Sequence, residues 1–183
     1  MSKTYYEITS ELAEWMTAQH VFFVATAPLS PDGHVNCSPK GLDTFRVRDP
    51  RTVAYLDLTG SGVETISHLR ENGRIVLMFC EMSGTPKIVR LHGRGRVVLP
   101  GTAEWQRQID SFPKHPGART IVIAEITRIS DSCGFGVPKY EYARERRGLT
   151  TWAESKGVDG LSRYRSEKNS KSIDGLPGLS GDA

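Results

Sequence analysis

Apolar residues along this chain recur mostly at every second position or in short unbroken runs, and only briefly with the three-to-four spacing of a helix. Residues 10–19 form one such helical stretch, with Leu12, Trp15 and Met16 on one stripe behind a Thr9 or Ser10 cap. Residues 20–27 (HVFFVATA) predict a strand that stops at Pro28 and a Ser-Pro-Asp-Gly turn. Residues 34–38 resume as a strand, break at Pro39-Lys40-Gly41, and continue over 44–48. Residues 52–58 (TVAYLDL) predict the next strand, 63–72 a helix with Ile66 and Leu69 on its inner face and Gly73 after its end, and 74–81 a further apolar strand. Residues 87–99 carry the clearest alternation: Val89, Leu91, Gly93, Gly95, Val97 and Leu99 share one face, and Arg90, His92, Arg94 and Arg96 the other. A helix over 102–111 and a long strand over 119–129 follow, then two short charged helices at 140–147 and 151–156. Residues 170–183 are rich in Gly, Ser and Pro, with little to bury. Hairpins at short spacing and no repeated βαβ rhythm favour a mainly β, closed antiparallel barrel with peripheral helices over a parallel sheet.

Composition narrows the class. The chain has 183 residues, and the 38% hydrophobic fraction together with 18 Gly excludes disorder as a global description and fits one domain with a core. No apolar run approaches the roughly 18 residues of a membrane span, and no apolar stretch follows the first seven residues, so neither a membrane anchor nor a secretory leader is expected; a cytoplasmic location is. The 24 Lys+Arg against 21 Asp+Glu leave a net charge of +3, too small for a dedicated nucleic-acid binder, and no aromatics interleave with the arginines of 90–96 as stacking platforms. That basic face reads as a solvated barrel surface or as a dimer- or cofactor-facing one. Cys37, Cys80 and Cys133 form no CxxC pair; Cys37 and Cys80 read as small core residues and Cys133 as the exposed thiol. The five histidines show no metal-ligand spacing, and Trp15, Trp105 and Trp152 read as core or interface anchors. No Ser-His-Asp constellation or nucleophile elbow is present, so no catalytic residue is assigned.

One loop carries candidate chemistry. Gly60-Ser61-Gly62 runs into the start of the 63–72 helix, where backbone N–H groups and the helix dipole suit an anion; Thr59, Ser61 and Thr65 add hydroxyls, and Lys40 adds a cation if its strand is a neighbour. Ser61-Gly62-Val63-Glu64 is also a capping box, in which Ser61 and Glu64 satisfy only the helix's own backbone.

Ser38-Pro39-Lys40-Gly41, then Asp57 to Gly62 opening a helix, then a strand ending Arg90-Leu91-His92-Gly93-Arg94-Gly95, resemble the pyridoxamine 5′-phosphate oxidase-like flavin-binding split-barrel superfamily over residues of about 15–130. The resemblance implies a six-stranded antiparallel split barrel forming a homodimer, with FMN in clefts between subunits. It places Ser38, Pro39, Lys40 and Gly41 beside the isoalloxazine or ribityl chain, and Thr59, Gly60, Ser61, Gly62 and Thr65 near the phosphate. Many relatives carry Arg or Lys in that loop where this chain has Gly62, Val63 and Glu64, so Ser38, Lys40 and Arg90 would supply the compensation. Deazaflavin and heme are the alternative cofactors. True pyridoxamine phosphate oxidases end in an Arg-rich segment with no counterpart in residues 164–183, so vitamin B6 oxidation is not the expected reaction. The expected domains are a flavin-binding barrel over residues 1–135 and a helical extension and tail over 136–183, packed on the barrel or on the partner subunit. The expected activity is flavin-mediated hydride or electron transfer; the alternative is a non-catalytic barrel that binds flavin, deazaflavin or heme, or has lost its cofactor.

Overall fold

The computed structural model describes residues 2–179; residues 180–183 of the expected tail lie outside them. The elements run β1 (Thr4–Tyr5), α1 (Ser10–Thr17), β2 (Phe22–Thr26), β3 (Asn36–Lys40), β4 (Phe45–Asp49), β5 (Thr52–Leu58), α2 (Glu64–Glu71), β6 (Arg74–Cys80), β7 (Ile88–Val98), α3 (Ala103–Ile109), β8 (Ala118–Ser132) and α4 (Gly148–Lys168). The strands form one antiparallel eight-stranded sheet in the order β3-β2-β6-β7-β8-β5-β4, with β1 added beside β8.

Eight strands replace the six expected. Two of them arise where the chain passes the β3–β4 bend, and a third, β1, is pinned by the Asp131 carboxylate, which accepts from Lys3 N (2.7 Å) and Tyr5 Oη (2.6 Å). The bend itself falls later than the sequence suggests. β3 continues through Pro39 and Lys40, tolerable because β3 is an edge strand with no second neighbour to bond the missing N–H. The turn is made by Leu42 and Asp43, both left-handed (φ 61° and 53°), a conformation that costs a non-glycine residue about 1–2 kcal/mol. Gly41 before them has no room for a side chain, since a Cβ would lie 2.9 Å from His20 O.

The curled sheet encloses one large cluster, built from inward residues such as Phe22, Val24, Val53, Tyr55, Leu77, Phe79, Leu91 and Ile129 and lidded by Leu12 and Met16 of α1. Thr9 caps α1, its hydroxyl accepting from Leu12 N at 3.2 Å. A second cluster lies on the other face, where Ala54, Leu56, Val98, Ile121 and Ile123 meet Phe112 and, more loosely, Trp105 of α3. β5 and the first half of β8 are therefore apolar at consecutive positions because both their faces are covered. The same cover corrects the reading of β7: past the irregularity at His92/Gly93, Val98 on the expected basic face is buried under α3.

The C-terminal region differs most from expectation. Residues 140–147 form no helix; all are exposed, so nothing would offset the cost of ordering one. The helix expected over 151–156 extends over Gly148–Lys168 and is broken at Gly157 (φ 64°) into two segments. Cys37 is exposed on the outward side of the edge strand, not in the core, while Cys80 is buried and Cys133 exposed. No helix of the described residues is long and apolar enough to cross a membrane.

Candidate functional site

The barrel is open and not closed as the hairpin spacing suggests: β3 and β4 are both edges, so the sheet does not close through ladder hydrogen bonds. Side chains bridge the slit instead. Lys40 Nζ reaches from β3 to Asp57 Oδ1 on β5 at 3.1 Å, and Asn36 Nδ2 donates to Thr65 Oγ1 at the start of α2 at 3.0 Å, with Ser38 Oγ donating to Asn36 Oδ1 at 3.1 Å. Leucine or valine in place of Lys40 and Asn36 would leave the slit unbridged by polar contacts.

Asp57 is the charge centre of this slit. It is 1% exposed, accepts from Arg119 Nε at 2.7 Å and from Thr120 Oγ1 at 3.3 Å, and is ion-paired with Arg119 Nη2 at 2.7 Å. Burial pushes its carboxyl upward, but the Arg119 guanidinium and then the Lys40 ammonium outweigh that and hold it below the usual carboxylate range. Arg119 is itself only 4% exposed and uses its remaining reach on Gly62 O and Asn169 Oδ1, both at 2.9 Å. One step along the β5/β8 ladder, Arg165 of α4 donates to Thr59 Oγ1 (3.0 Å) and Ala118 O (2.9 Å). Burial, then the neighbouring Arg119 charge, lowers the Arg165 pKa. Three cations thus gather around one carboxylate, an excess of positive charge at the mouth of the slit. Beneath it the Tyr55 hydroxyl is buried without a hydrogen bond, with Lys40 Nζ 5.8 Å from its ring; burial and then Asp57 drive its pKa well up.

The structure brings Ser38, Lys40, Thr59, Gly60, Ser61, Gly62 and Thr65 to this slit, but with the loop facing otherwise than a phosphate cradle. Thr59 donates twice to Gly117 O, at 2.8 Å from N and 3.0 Å from Oγ1. The carbonyls of Gly60 and Ser61 accept from Asn169 Nδ2 at 3.0 and 3.3 Å, and that of Gly62 from Arg119. The Ser61/Glu64 capping box does not form: Val63 stands in the capping position before α2 with no side-chain cap bond, and Glu64 Oε1 accepts from Ile173 N at 3.3 Å. Pro39 is exposed on the outer side of β3, and Gly41 lies against His20 O. Arg90 is elsewhere. It donates to Ser132 Oγ at 3.0 Å and sits eight residues along β7 from Val98, whose β8 partner Ile121 adjoins the Thr120–Asp57 pair just before the loop, or about 27 Å at strand rise.

Sequence reasoning gave no site role to four residues of this arrangement, Asp57, Arg119, Arg165 and Asn169, although Asp57 opens the 57–62 motif. The available signal is a charged residue inside each of two apolar runs, Asp57 in TVAYLDL and Arg119 opening RTIVIA, of opposite sign on strands that prove to be neighbours. His68, 0% exposed, bonds Thr26 Oγ1 at 2.9 Å through Nδ1, and among the described residues no group of three or more His, Cys, Asp or Glu is placed to hold a metal ion.

Residues 8–133 match the family described as pyridoxamine 5′-phosphate oxidase. The chain is 40% identical over 193 aligned positions to the pyridoxamine 5′-phosphate oxidase family protein ustO of Aspergillus flavus, covering 96% of this chain and 77% of that one. Among solved structures it resembles HupZ from Group A Streptococcus (TM-score 0.51, 22% identity, 67% of this chain and 91% of that one) and an FAD-binding protein from Mesorhizobium loti (TM-score 0.50, 19% identity, 72% and 96%). At these identities the two structures show a shared fold.

Proposed function

Because the chain belongs to the pyridoxamine 5′-phosphate oxidase family, we propose that it is a flavin-binding split-barrel protein, FMN being the flavin expected, that moves hydride or electrons to a small substrate as a homodimer. The slit carries this reading. An edge strand with unpaired backbone groups, hydroxyls at Ser38 and Thr65, and an excess of cations over one buried carboxylate suit a planar, hydrogen-bonding, anionic-when-reduced ring system. The FAD-binding protein of the same fold supports it.

The two halves of FMN fare differently. The ring side fits the donor set of β3, where Ser38 and Lys40 orient a ligand and the aromatic core behind them excludes water. The phosphate side does not fit the 59–65 loop as it stands, since the Glu64 carboxylate is folded over Gly62 and would repel a second anion there. A bound flavin supplies the redox chemistry; the chain supplies position and charge.

The same carboxylate favours the second reading, a non-catalytic module that holds flavin, deazaflavin or heme. The two readings part in one experiment: anaerobic addition of NADH or NADPH to the flavin-loaded protein. Bleaching of the visible flavin band, with recovery on adding an electron acceptor, is the expected outcome. A loaded protein whose flavin neither nucleotide reduces belongs to the second reading.

A further inference from the structure

The described part of the C-terminal tail is not loose. Residues 169–179 fold into a narrow hairpin, with Leu179 N bonded to Asn169 O at 2.7 Å, Gly178 N to Ser170 O at 2.9 Å and Ser172 N to Leu176 O at 2.9 Å, turning at Gly175 (φ 77°). This strap lies on the 60–66 region of its own chain. At its base Asn169, 0% exposed, spans the loop, its amide donating to Gly60 O and Ser61 O and its oxygen accepting from Arg119. At its tip Asp174 bonds His34 through both oxygens, 2.8 Å to N and 2.6 Å to Nδ1, and Ile173 N reaches Glu64. At its end Leu179 is buried with Val63 and Ile66, and Gly178 O accepts from Arg70. Gly178 is packed so closely against Asn169 O and the Val63 methyls that no Cβ fits.

A phosphate at this loop requires backbone donors facing it and no negative charge beside it. The docked strap works against the second condition and restricts access: Ile173 N holds the Glu64 carboxylate, which lies across Gly62, and Leu179 covers the first turn of α2. We infer that this strap sets the cofactor class of the site: it takes the place of a phosphate at the 60–65 loop, so the slit accepts the ring of a flavin without gaining affinity from the phosphate. This rests on the flavin-binding reading. Phosphorylated and unphosphorylated flavins are then equivalent ligands of the intact chain, and FMN gains an advantage only when the strap is undocked.

The test compares riboflavin and FMN by quenching of flavin fluorescence, with hydrogen exchange over residues 59–66 and 170–179 read in parallel. The intact chain is expected to bind both with dissociation constants within about threefold, less than the tenfold that 1.4 kcal/mol confers. Gly178→Val and, as a second route that leaves the loop itself unaltered, Leu179→Asp are expected to raise exchange across both segments and shift the ratio toward FMN by about tenfold, the scale of one charge-assisted hydrogen bond. A tenfold preference for FMN in the intact chain, unchanged in both variants, overturns the inference. Failure of the intact chain to bind either flavin removes the flavin reading, and with it the inferred cofactor class. The exchange data then judge the strap alone: slow exchange lost in the variants supports its docking on the loop, and fast exchange in the intact chain contradicts it.

Discussion

Arg119→Met lowers the free energy of unfolding by about 3–5 kcal/mol, because it leaves the Asp57 carboxylate buried with half its compensation gone. Lys40 is the one cation left bonded to Asp57, beside the longer Thr120 hydroxyl contact, and Gly62 O and Asn169 Oδ1 lose a donor with Arg119, so the loop and strap loosen together. Denaturant titration gives the number, and a double-mutant cycle gives its origin. Asp57→Asn combined with Arg119→Met is expected to cost less than the two single losses added, since the pair is removed rather than broken. A single Arg119→Met loss below about 1 kcal/mol, the scale of a surface pair, would contradict the buried-network account. The same network sets the acid limb of stability. The Asp57 pKa is lower folded than unfolded, so its contribution is fully present above the unfolded value of about 3.9 and is lost as pH falls below it toward the folded value. In Arg119→Met that acid-dependent loss is smaller.

Phe79→Ala is expected to cost about 3–5 kcal/mol, through lost transfer energy and the cavity left behind. Phe79 is 0% exposed on β6, and its ring centroid lies 4.8 Å from that of Phe45 on β4 and 5.5 Å from that of Phe22 on β2, which in turn lies 5.8 Å from Tyr55 on β5. These rings come from both sides of the slit, where the sheet has no ladder bonds. Side-chain packing is therefore what keeps the open sheet curled, and the site geometry depends on it. A drop in the denaturation midpoint with little change in its slope is the expected signature, and a loss under about 1 kcal/mol would mean that neighbouring side chains collapse into the space.

Much of the fold was legible because its signals are local. β5 appears as drawn from TVAYLDL, α2 and β7 fall within a residue of their expected bounds, and the Thr9 cap is present. The misplacements also have local causes. Pro39 reads as a breaker, but an edge strand tolerates it, so the bend moved to Leu42 and Asp43; residues 140–147 are charged like a helix surface but have no apolar stripe to dock. The site was legible only in part. Ser38, Lys40, Thr59 and Thr65 stand in recognisable short motifs, and the slit brings them together. Asp57 and Arg119 require the β5/β8 register, which pairs Asp57 with Thr120, before their charges can be matched. Asn169 meets Gly60 across 109 positions, a contact no periodicity announces, and Glu64, read as a cap, lies across Gly62 and accepts from Ile173 N of the same strap. Arg90 shows the converse: a residue in a suggestive motif, held by its strand far from the loop.

The central claim is that the slit between β3 and β5 holds a flavin, and the most direct measurement is a titration of the purified protein with riboflavin and FMN, following flavin fluorescence and the visible absorption band. Saturable uptake of one flavin per chain in the micromolar range, with a perturbed visible spectrum, is the predicted result. A spectrum and fluorescence that remain those of free flavin throughout the titration would contradict the claim.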